Sequence, residues 1–169
     1  SEAMFARKVI LVEGESESLI LPYFFDLLGY DYIAEGVTIV RCGGKSEIDR
    51  FYRLYSEFGI PCFVIFDGDR QNVGKGDEKS TIDKNHGILK MFGCADDFPD
   101  GTVHENYLGF EYRLEENLSI GGKAKALKLY IRTKEAITSA DKVPAWVSEV
   151  IEKLKLLPNE AESVLLKED

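Results

Sequence analysis

Three short runs of apolar and β-branched residues mark the first seventy positions, and the segments between them carry helical spacing. The runs are Val9-Ile10-Leu11-Val12, Val37-Thr38-Ile39-Val40 and Cys62-Phe63-Val64-Ile65-Phe66. Unbroken runs of this length read as strands buried on both faces. After the first, Leu19, Leu21, Phe24, Phe25, Leu27 and Leu28 supply the apolar face of a helix that Ser16 or Ser18 would cap. Gly29 stands where such a helix stops. After the second, Ile48, Phe51, Tyr52, Leu54 and Tyr55 recur at helical spacing behind Ser46, a candidate cap, and Gly59-Ile60-Pro61 ends the helix. The order β-α-β-α-β predicts an α/β fold built on a parallel sheet with right-handed crossovers.

Past Asp69 the pattern weakens. Residues 70–85 are polar and read as a loop beside the strand ends. A short helix is expected over 88–92, a strand over 102–107, and helices over 123–131 and 143–157. The last has Pro144 in its first turn and Asp141 as a cap. Residues 1–113 are expected to form the catalytic domain, with 114–169 a helical extension packed on or beside it.

The bulk properties narrow the class. A chain of 169 residues, 44% of them hydrophobic, suits a single α/β unit of ordinary size. No apolar stretch reaches the ~20 residues that span a bilayer. Ser1-Glu2-Ala3-Met4-Phe5 lacks the features of a secretory signal. The first strand starts so early that a fragment of a longer protein is expected. Cys42, Cys62 and Cys94 have no zinc-like spacing, so reduced thiols in the cytoplasm are expected. The net charge of −9 argues weakly against nucleic-acid binding, but part of it sits in two acidic clusters where cations would offset it.

Those clusters carry the chemistry. Glu13-Gly14-Glu15-Ser16-Glu17 follows the first strand, and Asp67-Gly68-Asp69 follows the third. Carboxylates at adjacent strand tips repel one another unless a cation sits among them, and oxygen donors select a hard ion such as Mg²⁺ or Mn²⁺. Plainer readings exist. Glu15 and Glu17 would complement a helix dipole, and Asp-Gly-Asp could be a simple turn. Gly43-Gly44-Lys45-Ser46 lacks the leading glycine of a nucleotide P-loop, with Ile39 in its place. Lys45 could still touch a DNA phosphate. His86 and His104 have no ligand spacing.

The order strand-Glu13-Gly14, two helix-strand units, then Asp67-Gly68-Asp69 resembles the Toprim domain over residues 8–70. Val12-Glu13-Gly14-Glu15-Ser16-Glu17 and the Gly43-Gly44-Lys45-Ser46 junction resemble the Toprim half of OLD-family (overcoming lysogenization defect) nucleases. That resemblance implies a metal-dependent DNA nuclease using two Mg²⁺ or Mn²⁺ ions, ~4 Å apart. It also implies an N-terminal ABC-type ATPase as partner domain and a homodimer formed through that ATPase. Carried over residue by residue, Glu13, Glu17, Asp67 and Asp69 match the metal ligands, with Asp67 bridging and Glu13 also catalytic. A later ligand is expected in a small-apolar-Glu stretch, which Gly109-Phe110-Glu111 fits. Glu111 is therefore preferred and Glu105 is the alternative, while Gly109 replaces a hydroxyl residue sometimes seen there. A late catalytic lysine is placed at Lys142, with Lys123 its rival. Competing readings are a non-catalytic Toprim module that binds DNA or a partner, a haloacid-dehalogenase-like phosphatase using Asp67, and a strand-passing or primer-making Toprim enzyme.

Overall fold

The computed structural model describes residues 6–120 and 125–158. Lys123 and the acidic stretch from Glu160 to Asp169 lie outside the described residues.

Four strands make one sheet: β1 (Lys8–Val12), β2 (Val37–Arg41), β3 (Cys62–Asp67) and β4 (Tyr107–Phe110). Their order is β2-β1-β3-β4 and every pairing is parallel. The helix α1 (Glu15–Leu27) joins β1 to β2, and α2 (Ile48–Glu57) joins β2 to β3. The first connection moves one way along the sheet and the second crosses back past β1. The switch falls between β1 and β3, and open α/β sheets take their ligands in the crevice at the carboxyl ends of such strands.

Alternation along the strands sorts the apolar side chains into two cores. Ile10, Val12, Phe63 and Ile65 pack with Phe24 and Phe25 of α1. The same core takes Leu129 of α5 (Ala126–Ala136) and Val147, Val150 and Leu154 of α6 (Ala145–Leu156). On the other face Val9, Leu11, Val64 and Phe66 meet Ile48 and Tyr55 of α2 and Ile88 and Leu89 of α3 (Glu78–Leu89). Helices thus cover both faces, which is why the runs read as continuous rather than alternating. Lys8 is buried at the start of β1, and its Nζ donates to the Leu154 carbonyl at 2.7 Å, fastening the end of α6 to the first strand. Trp146 packs edge-on against Phe24 and Phe110, with centroids 6.2 and 5.2 Å away.

Several elements differ from the sequence pattern. Neither serine caps α1: Gly14 holds the N-cap, and its N–H donates to Glu17 Oε2 at 3.2 Å. Ser46 caps nothing either, because residues 45–47 form a 3₁₀ turn and α2 begins at Ile48. The expected loop over 70–85 is largely helical: a 3₁₀ turn at Arg70–Asn72 leads into α3. The buried positions of α3 are Thr81, Asn85, Ile88 and Leu89, and their two polar members mask the helical period. The fourth strand begins at Tyr107, not Thr102, because Asp100 accepts from Thr102 and ties this stretch into a turn. Asp141 lies in a 3₁₀ turn rather than capping α6, whose N-cap is Pro144. A one-turn helix, α4 (Leu114–Asn117), follows β4.

Candidate metal centre

The crevice is built from four short pieces of chain. Glu13 leaves the tip of β1, and the N–H of Asp67 at the tip of β3 donates to Glu13 Oε2 at 3.4 Å. The first turn of α1 brings Glu17 alongside, since its carboxylate turns back to cap Gly14. The N–H of Leu114, opening α4, donates to Asp67 Oδ1 at 3.0 Å. Gly68 then lets the chain pass under β4: its N–H donates to the Phe110 carbonyl at 2.6 Å. A Cβ there would stand 2.5 Å from that oxygen and 2.7 Å from the Glu111 carbonyl. Asp69 follows in the left-handed region, φ +55°, which aspartate tolerates better than most residues.

Three of the carboxyls are raised, first of all by burial. Burial pushes Glu17 up to about 7, and the fields of Glu13 and Glu115 add to it against the hydrogen bonds of backbone N–H groups. Burial also raises Asp67 well above the ordinary carboxylate range, reinforced by Glu17, Glu13, Asp69 and Glu115. Glu13 is raised mainly by burial, partly offset by Lys45 and Lys84. Buried like charges of this kind favour the protonated form unless a cation enters.

Asp69 is different. Burial would raise it, but hydrogen bonds from Lys45, Arg113 and Gln71 outweigh that and hold it below the ordinary range. Lys45 Nζ lies 2.9 Å from Oδ2, while Arg113 Nε and Gln71 Nε2 lie 3.0 and 2.7 Å from Oδ1. Lys45 also donates to Asn85 Oδ1 at 3.1 Å. Asn85 is fully buried and donates to the carbonyls of Gly68 and Asp97.

Residues 4–69 match the family described as overcoming lysogenization defect protein-like, TOPRIM domain. The chain carries the Toprim domain of the OLD family. It is 33% identical over 159 residues to a protein named OLD nuclease from Thermus scotoductus, covering 82% of this chain and 30% of that protein. The OLD-family chain thus spans less than a third of the length of that curated relative. In fold it resembles the C-terminal region of the Xanthomonas campestris pv. campestris OLD protein, with TM-score 0.61 and 19% identity over 99% of both chains. It also resembles the C-terminal region of the Burkholderia pseudomallei OLD protein, with TM-score 0.56 and 17% identity over 89% of this chain and 98% of that one.

The structure of this OLD-family Toprim domain brings Glu13, Glu17 and Asp67 together and places Asp69 beside them in the grip of two cations. Glu115, which the sequence pattern did not single out, lies near enough for its charge to raise Glu17 and Asp67. Glu111 follows Phe110 out of β4, and its Cγ would abut a Cβ at Gly101. Glu105 lines a cavity with Pro61, Cys62 and Lys153, at the opposite end of the strands. Lys142 is exposed, its Nζ 3.4 Å from Thr138 Oγ1. Lys45 is buried and paired with Asp69. Arg113-Leu114-Glu115 was the available signal for Glu115, an apolar residue then glutamate just past the strand, but Arg113 is not small. Gly109 has a packing role: Pro99 and Phe66 occupy the space a Cβ would need.

The donors suit a hard divalent cation, being crowded carboxylate oxygens that neighbouring protein cations offset only in part. They are not yet converged. Among the described residues no group of three or more His, Cys, Asp or Glu stands assembled to hold a metal ion. The reason is visible in the hydrogen bonds: Glu17 spends an oxygen on Gly14, Asp67 on Leu114 and Glu13 on Asp67.

Proposed function

We propose that this domain hydrolyses phosphodiester bonds of DNA with Mg²⁺ or Mn²⁺ held by Glu13, Glu17, Asp67 and Glu115. The supporting observation is the contrast between Asp67 and Asp69. Burial and the neighbouring carboxyls raise Asp67 despite the field of Arg113, whereas hydrogen bonds from Lys45 and Arg113 hold Asp69 down. A bound ion relieves the first group, lowers the pKa of a coordinated water and steadies the leaving oxygen. The fields of Glu17 and Glu13 both reach Asp67, which would be the shared donor. The fields of Lys45 and Lys84 reach Glu13, and that of Glu115 reaches Glu17. Lys142, on the surface ahead of α6, would meet a bound strand rather than the carboxylates. The donor set holds one ion with Asp69 undisturbed. A second, as the family resemblance implies, requires Asp69 to leave its cations.

The relative named OLD nuclease supports the activity, and its greater length supports a larger protein around this domain. Within it the domain would work with an ABC-type ATPase and dimerise through it. A phosphatase using Asp67 as nucleophile is less well supported. Its second aspartate must donate a proton, and Lys45 and Arg113 keep Asp69 ionised.

Nicking of supercoiled plasmid in Mn²⁺ or Mg²⁺, with and without EDTA, tests the reading. Activity should require the ion and disappear in Glu13→Ala and Asp67→Ala. Undiminished cleavage by either variant rejects the assignment.

A further inference from the structure

We infer that Lys45 and Arg113 are a resident cation pair that keeps Asp69 out of the coordination sphere, so that this chain takes one tightly held divalent ion rather than two. The inference rests on the metal-dependent reading above and concerns only how the charge is divided.

Both carboxylate oxygens of Asp69 are engaged. Oδ2 accepts from Lys45 at 2.9 Å, and Oδ1 accepts from both Gln71 at 2.7 Å and Arg113 at 3.0 Å. An ion bound directly to Asp69 would stand beside an ammonium and a guanidinium. Lys45 is not a surface side chain that could swing aside; it is 6% exposed. The glycines at 43 and 44 take φ +84° and +144° and turn the backbone ahead of it. Asn85, 0% exposed, fixes its second hydrogen bond. Asn85 is itself anchored to the Gly68 and Asp97 carbonyls at 2.9 and 3.0 Å. The cradle is therefore tied both to the turn that carries Asp69 and to α3. Arg113 approaches from the other side, one residue before the Leu114 N–H that holds Asp67.

Charge divides accordingly. The field of Lys45 also reaches Glu13, and that of Arg113 reaches Asp67 and Glu115, so those carboxyls are compensated only in part and still call for an external cation. Asp69 with Lys45 and Arg113 forms a half that already carries excess positive charge. Lys45 also lines a groove of about 580 Å³ with Lys79 and Lys84. A phosphate lying between the ion and that groove meets the ion on one side and Lys45 on the other. Lys45 and Arg113 then act as positioning residues, supplying the second cationic pole that a second metal supplies elsewhere.

The test is the count and affinity of Mn²⁺ on the 169-residue chain, read by calorimetry and by the electron paramagnetic resonance of free Mn²⁺. One tight ion is expected. Asp69→Asn should weaken it less than about tenfold, and Asp67→Asn more than about a hundredfold. Arg113→Gln, and Lys45→Met where its circular dichroism matches the parent, should free Asp69 and reveal a second ion. Two ions of similar affinity in the unaltered chain overturn the inference and leave the metal reading intact. Loss of the tight ion in Asp69→Asn, with its fold retained, also overturns it. No bound Mn²⁺ at all rejects the metal reading and this inference together.

Discussion

The N–H of Leu114 donates to Asp67 Oδ1 at 3.0 Å across 47 positions of sequence. This bond joins the tip of β3 to the first turn of α4, where the charge of Glu115 reaches both Asp67 and Glu17. Asp67 therefore feels the late acidic residue as well as the early ones.

Glu115→Gln should weaken Mn²⁺ binding and nicking by about 10–100-fold, the range for a group that binds or directly supports a metal. Glu111→Gln should change both by less than about threefold, since Glu111 sits over Gly101 and outside that range of effect. Metal titration of the two variants side by side decides the matter, and the reverse ranking would return the role to Glu111.

The acidic cluster should make the metal-free protein less stable as pH rises. Glu17 has an ordinary value of 4.5 and is raised to about 7 in the fold. Between those values the folded chain binds more protons than the unfolded one, so stability is full below 4.5 and is lost as pH climbs through about 7. On the order of 3 kcal/mol is at stake for Glu17 alone. Asp69 acts in the opposite sense, losing its contribution only under acid conditions, below its ordinary 3.8. Melting temperatures from pH 4.5 to 8, with EDTA and with saturating Mg²⁺, check this: the decline should appear with EDTA and flatten with the ion. A metal-free melting temperature that climbs over this interval contradicts it.

Gly68→Ala should be costly. The added Cβ would press on the Phe110 and Glu111 carbonyls and on Pro99 Cγ at 2.5 to 2.7 Å, all of them backbone or ring atoms with little freedom. A loss of about 1–3 kcal/mol is expected from the crowding, together with weaker metal binding as the Asp67-Gly68-Asp69 turn shifts. Urea unfolding midpoints measure the first and Mn²⁺ titration the second; an unchanged midpoint would show that the turn can give way.

Leu154→Ala should destabilise the whole chain by about 2–5 kcal/mol, because Leu154 is fully buried in the core that β1, α1 and α5 share. We propose that the helices after residue 113 unfold with the sheet as one unit. Circular dichroism and tryptophan fluorescence, reporting on the overall fold and on Trp146, should then give coincident transitions. Separated transitions would assign the late helices to a unit of their own.

The parallel sheet was legible because β1 and β3 are covered on both faces, and such strands must be written as unbroken apolar runs. Glu13, Glu17, Asp67 and Asp69 were legible as a set because strand ends in this topology converge at the switch point. The helix α3 was not, since two of its buried positions are Thr81 and Asn85, chosen for hydrogen bonds rather than for apolar burial. Glu115 was hidden because it lies past the end of β4 in a one-turn helix, too short for its periodicity to show.

By itself the sequence determined the α/β order, the strand tips and the identity of the early carboxylates, all consequences of local periodicity and chain direction. Only the tertiary structure decided how those carboxylates are charged. Lys45, Asn85 and Arg113 come from three separate segments, and no spacing along the chain announces that they meet at Asp69. Burial and contact, which turn four similar acids into three strained groups and one satisfied one, are properties of the packed molecule alone.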